Sequence, residues 1–384
     1  MTSSFESLKH QFQLDPKFAY LNHGSFGACP LPIFKERERW QREIEKQPVS
    51  FIQEKALDLL DWSRGELSDF IHCDKDNLVY FPNPTTAMNM VIKSLDLNEG
   101  DEVLSSNHEY GAIERTWKFM AKKRGFTYNA LEIPLPVAEN TFVNFFKENI
   151  SSKTKVIFLS HITSPTGIIF PVDKICEIAK KLDILIIIDG AHAPAHINLN
   201  LKKLGADIYT GACHKWMLCP KGVSFLYVSR DFQKYLEPLV VSWGWESDNP
   251  SGSEFLDHHQ YQGTNDISGY LSVPKAIEFL KENNWDEIRK VCHQNTIKTR
   301  DILLQTSRNE ALCDNNLLGQ MTSVKINISD SENLYRFLKK NNIEVPIIEW
   351  NGITLLRVSY QCYNSMEQIE LLNYYLNKYL NGIL

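Results

Sequence analysis

Short apolar runs alternate with segments of helical spacing through most of this chain. The runs at 78–81, 102–105, 155–160, 184–188, 207–211 and 223–228 predict strands, and 86–96, 110–124 and 172–182 predict helices. Strands and helices taking turns are the mark of a mostly parallel sheet covered by helices. Ahead of this core, residues 1–16 read as an arm and Phe18–Phe26 as an extended entry. Ile33–Lys46 and Phe51–Ile71 have helical spacing, with Pro48 between them. Past Gly263-Thr264 the stretch 267–307 reads as long and helical. Beyond it come a strand (321–327), a helix (331–340), two strands (343–348, 353–358) and a helix (365–380). The expected organisation is an arm (1–16), a large domain (17–270), and connecting helices with a small α+β domain (271–384).

Composition narrows the class without naming it. The 384 residues are 43% hydrophobic and 23% charged, as in a globular protein with more than one core. A net charge of −6 gives no electrostatic reason to expect nucleic acid or an anionic membrane as partner. There is no apolar run of about 18 residues, the length that crosses a bilayer, and MTSSFESLKHQF lacks a signal-peptide core, so a cytoplasmic protein is expected. The eight cysteines are scattered with no C-x-x-C pair, which points to reduced thiols and no metal site.

Two residues change the picture. The apolar run Ile184–Ile188 ends in Asp189, and a carboxylate at the end of a doubly covered strand is costly unless a cation or donor meets it. His214-Lys215-Trp216 then falls between the strand at 207–211 and the turn Pro220–Gly222. Singly, each is an ordinary polar residue at an element end. Together they are what pyridoxal phosphate needs: a lysine for the Schiff base and a carboxylate that keeps the pyridine nitrogen protonated. Asn83-Pro84-Thr85-Thr86-Ala87 opens a helix after a strand, which suits a phosphate and equally suits a plain cap. Arg357, at the end of an apolar run in LLRVSYQCYN, has the forked donor geometry that binds a carboxylate.

DGAH, HKW and PKG together resemble the class V aminotransferase family of fold-type I pyridoxal phosphate enzymes. YLNHGSFGACP and DGAHAPAH are most similar to its isopenicillin N epimerase-like branch. The resemblance runs from about residue 17 to the last helix. It implies a large domain with a mostly parallel, seven-stranded-type sheet and a smaller C-terminal α+β domain. It also implies that Thr85, Thr86, Ala87 and His214 reach the phosphate, and that His192 bonds the phenolic oxygen. Ser164 stands where relatives often carry an Asn with a similar role, and Ala212 stands where they often carry a Ser or Asn. Tyr110, or else His108, is implied as the ring over the cofactor. Gly263-Thr264 matches a pair that reaches the phosphate of the neighbouring subunit, so a homodimer with a composite site is implied. Arg357 is implied as the carboxylate ligand, with Asn22, His23 and His161 near a small amino-acid substrate.

The step after α-proton removal by Lys215 separates an epimerase from an aminotransferase or a carbon–sulfur lyase acting on a cysteine conjugate or sulfoxide. The desulfurase branch carries a nucleophilic Cys shortly before the Arg, and 335–356 has none. No G-x-G-x-x-G comes after the first strand, which opposes a nicotinamide dehydrogenase. A non-catalytic binding protein on the same fold would have no need of the lysine.

Overall fold

The computed structural model describes residues 8–382. Seven strands form the central sheet: β1 (Leu78–Phe81), β2 (Glu102–Ser106), β3 (Thr127–Leu131), β4 (Thr154–Ser160), β5 (Leu185–Asp189), β6 (Ile208–Ala212) and β7 (Ser224–Val228). Their order is β1-β7-β6-β5-β4-β2-β3. The ladders from β6 through β3 are parallel, and β7 runs antiparallel to both of its neighbours. The inner strands are buried almost throughout because helices cover both faces. One face packs on α3 (Pro84–Ser94) and α4 (Gly111–Arg124) through Met88, Val91 and Trp117. The other face packs with α1 (Leu31–Lys46), α2 (Ala56–Ile71) and α5 (Val172–Lys181) into the larger core. Ser106, Ser160, Asp189 and Ala212 thus end their parallel strands along one edge, where ligands of such sheets sit.

Expectation and structure differ at four places. Of the expected extended entry Phe18–Phe26, only Ala19–Tyr20 is a strand, while His23–Phe26 closes into a helical turn whose last carbonyl bond is made by Gly27 N–H to His23 O. β3 carries no apolar run, because Thr127–Ala130 lie on an edge strand that stays partly exposed. The long helical stretch breaks into Ser268–Leu271, Val273–Glu282 and α6 (Trp285–Ser307). Asn284, at φ 48°, takes the left-handed turn between the last two, a conformation asparagine tolerates. Val273–Glu282 packs on α1 and α2 of the large domain, whereas α6 packs on the small domain. The expected strand 343–348 is two: Ile343–Glu344 pairs in parallel with Ala19–Tyr20, and β9 (Ile347–Trp350) belongs to another sheet. Pro346, with no N–H to donate, sits at the break.

The small domain holds the antiparallel sheet β9-β10-β8, from β8 (Met321–Ile326) and β10 (Ile353–Ser359). The helices α7 (Ser331–Lys340) and α8 (Met366–Leu380) complete it, α8 opening on a Ser365–Gln368 capping box. Of the expected arm, residues 1–7 lie outside the described residues. Leu8 and Phe12 are buried, and Phe12 packs edge-on against Tyr363. Among the described residues no helix is long and apolar enough to cross a membrane, and no cluster of His, Cys, Asp and Glu could hold a metal.

Candidate active site

Lys215 sits on the turn after β6, and its backbone is held from two directions. Lys215 O accepts from His23 Nε2 at 3.1 Å, and His23 Nδ1 meets the Tyr363 hydroxyl at 2.8 Å. A carbonyl can only accept, so the His23 proton is on Nε2 and both ring nitrogens are used inside the protein. Gly27 presses on the same turn at φ 69°, where a Cβ would lie 2.3 Å from His214 O. Nothing larger than glycine fits.

The lysine side chain lies near the carboxyl end of β5, where the Asp189 and Arg357 charges act on it. Its Nζ lies 3.2 Å from His192 Nε2. Desolvation lowers the ammonium to about 8, with Asp189 opposing this and the Arg357 charge adding to it. The side chain keeps some opening to solvent, and water there offsets part of the desolvation. Asp189 is buried and accepts from Ala191 N–H at 2.9 Å. Burial raises its pKa, against that hydrogen bond and the Lys215 charge.

Arg357 is another buried charge near the lysine. It is 3% exposed and meets no carboxylate. Nη1 donates to Ser164 O and to Ser164 Oγ at 3.3 Å, Nη2 donates to Ser25 Oγ at 2.9 Å, and Nε is buried without a partner. Desolvation pulls the guanidinium down to about 10. Ser25 passes its own proton to Asn22 Oδ1 at 2.6 Å. Asn22 therefore acts through Ser25 on the arginine, and Ser164 is tied to the same side chain.

At the head of α3, Asn83 caps the helix by accepting from Thr86 N–H at 2.8 Å and Thr86 Oγ1 at 3.0 Å. Free first-turn N–H groups at a helix head are the kind that can hold an anion. His214 Nδ1 donates to Val223 O at 2.8 Å, leaving Nε2 without a proton until the ring is charged; burial holds it down to about 4. Tyr110 is half exposed, immediately ahead of α4. His108 is buried between Phe170 and Trp350, with Nδ1 on Thr166 Oγ1 at 2.8 Å and Nε2 unpartnered. His161 Nδ1 meets Tyr209 OH at 3.0 Å, and its N–H donates to Asp189 O. Gly263 is partly open and Thr264 exposed, with Thr264 Oγ1 3.2 Å from Tyr261 OH.

Comparison with known proteins decides the family. The family model described as aminotransferase class-V matches residues 42–372. The chain belongs to the class-V aminotransferases. This class-V aminotransferase is 30% identical to the isopenicillin N epimerase of Amycolatopsis lactamdurans over 96% of this chain and 97% of that one. It is 25% identical to the hercynylcysteine sulfoxide lyase of Schizosaccharomyces pombe (strain 972 / ATCC 24843), over 77% of each chain. A lysine mutant of C-DES, with glycine covalently linked to the PLP cofactor, has the same fold: TM-score 0.85 and 20% identity over 96% of this chain and 98% of that one.

A class-V aminotransferase is a pyridoxal-phosphate enzyme, and the residues present fit that cofactor. The chain brings together a lysine with a depressed pKa, a buried carboxylate with lone pairs to spare, and a buried guanidinium with an unused donor. Four contributors are not apparent from sequence. Ser25 and Ser160 look like any serine, Trp216 like core, and Glu109 like a helix-start acid. Glu109 is buried, takes hydroxyl protons from Ser106 and Ser160 at 2.6 Å each, and is raised by burial to about 8. An acid three residues past the end of a strand was the one available signal.

Proposed function

We propose that this class-V aminotransferase moves the α-proton of an amino acid, in the manner of its isopenicillin N epimerase relatives. The observation that carries the reading is the depressed Lys215 amine beside the buried Arg357 guanidinium, whose Nε has no partner. Pyridoxal phosphate, when bound, supplies the electron sink that makes an α-proton acidic enough to remove.

The chain's own residues do the rest. Asp189 holds the pyridine nitrogen and keeps its proton in place. Thr85, Thr86 and Ala87 would hold the phosphate, with Gly263 and Thr264 of a second copy closing the ring of donors, and His214 would join them through Nε2 once the phosphate charge draws a proton onto its ring. Tyr110 would cover the cofactor ring, a role favoured by its open position at the head of α4; His108, enclosed by two aromatic rings, is the weaker choice. His192 donates to the phenolic oxygen. Arg357 receives the substrate carboxylate, with Asn22 and Ser25 fixing its fork. Lys215, as the free amine, takes the α-proton and returns it. His161 and His23 support this pocket from behind.

A carbon–sulfur lyase uses the same residues up to proton removal, and the similarity to the sulfoxide lyase favours it as the second reading. Persulfide chemistry is opposed by the thiols: seven of the eight are buried, and burial pushes the remaining Cys29 up to about 12. The same set of free thiols supports a reducing, cytoplasmic setting, and the exposed Phe26, Val241 and Trp243 support a homodimer.

The test is the visible spectrum of the purified protein and of Lys215→Ala, with and without amino acids. A borohydride-sensitive band in the wild type that the variant lacks is the expected result. Solvent deuterium entering the α-carbon without release of product favours the epimerase, and pyruvate with a released sulfur species favours the lyase. A protein that stays colourless with added cofactor sinks both.

A further inference from the structure

The hydrogen bonds behind Lys215 all run in one direction. Trp216 Nε1 can only donate, and it lies 3.3 Å from His192 Nδ1. That nitrogen must accept. A neutral His192 therefore carries its proton on Nε2, which faces Lys215 Nζ at 3.2 Å. Facing an N–H, the lysine nitrogen must in turn offer a lone pair. The ring is neutral because burial disfavours its cation, as does the nearby Arg357 charge.

The indole is itself aimed by the groups around it. Gln320 N–H donates to His196 Nε2 at 2.6 Å, so His196 carries its proton on Nδ1 and donates to His192 O at 3.0 Å. The His196 ring lies on the indole at 3.9 Å and 28°, and His23 tilts against it at 4.8 Å. Trp216 is 1% exposed, so its N–H has no water to turn to.

We propose that Trp216 is a positioning residue whose indole N–H fixes His192 as the Nε2–H tautomer, presenting Lys215 as the free amine. The tautomer also makes Nε2 the ring's donor toward the cofactor's phenolic oxygen, the part of the inference that rests on the function proposed above. Phenylalanine at 216 fills the same slot with no proton to give, and His192 is then free to move its proton to Nδ1. The lysine nitrogen would in that case face an acceptor and be drawn toward the ammonium form.

The experiment is nitrogen NMR of the histidine rings in the full-length protein, stripped and cofactor-loaded, with the His192 signal identified by its loss in His192→Gln. The wild type is expected to show His192 protonated on Nε2 alone, and Trp216→Phe a mixture of both tautomers. In the loaded protein the pH midpoint of the visible band is expected to shift by about one pH unit in Trp216→Phe, the effect of one lost hydrogen bond. A wild-type ring protonated on Nδ1 overturns the proposal, as does a Trp216→Phe protein with unchanged tautomer and midpoint. If that variant does not fold, the wild-type spectrum decides alone. A colourless protein would remove the cofactor reading while leaving the tautomer result intact, so the two failures are distinguishable.

Discussion

Arg357 brings a positive charge into the interior and meets only neutral oxygens there, an arrangement a fold does not keep for stability. Arg357→Leu is therefore expected to leave the thermal midpoint unchanged or raised, while the spectral response to amino acids weakens by about a hundredfold or more. Calorimetry and amino-acid titration of the visible band check the two halves. Lys215 gives a pH signature. Its amine is lowered to about 8, so the rate of cofactor capture should rise with pH and level off near there, where an ordinary lysine would still be climbing. Stopped-flow absorbance reads this directly. Glu109 works the other way: its folded carboxyl titrates near 8, above the ordinary 4.5. Its contribution is favourable below about 4.5 and is lost as pH rises toward 8. Glu109→Gln should flatten that decline, by on the order of a few kcal/mol between about pH 5 and pH 8 in denaturant melts. Asp189, Lys215 and Arg357 stood out as candidates in the sequence because each interrupts an apolar pattern or sits beside a turn. Ser25 did not, since its meaning depends on Arg357, a partner 332 residues away.

At the scale of elements, the strands with clean apolar runs were readable to within a residue or two, and β3 was not, because an edge strand need not be apolar. Helix α3 shows how much a terminus can carry. Asn83 satisfies Thr86 twice, so Asn83→Ala should cost about 1 kcal/mol of stability, and should weaken cofactor affinity because the first turn loses its anchor. Urea melts and cofactor titration measure the pair. The break at Asn284 was invisible to periodicity because apolar spacing continues on both sides of it. Only the left-handed backbone reveals where the chain leaves the large domain for the small one.

For the molecule as a whole, the order of elements announced a parallel sheet with a small domain after it, whereas the contacts between the two depended on pairings no local pattern encodes. Trp243 is 85% exposed and Phe26 and Val241 67% each. If a second copy covers them, sedimentation should give a two-chain mass, and Trp243→Glu should give a single-chain mass with loss of bound cofactor. The short ladder between Ala19–Tyr20 and Ile343–Glu344 has a different consequence. It is continued by Leu21 O and Gly24 N–H on Ser359, and by Asn364 on Tyr20 O. The segment that clamps the Lys215 turn is thus made before the lysine, and its docking partners after it. A nascent chain must wait, with its lysine uncovered, until those later segments have also emerged; the site is sealed by residues from both sides of it in the chain.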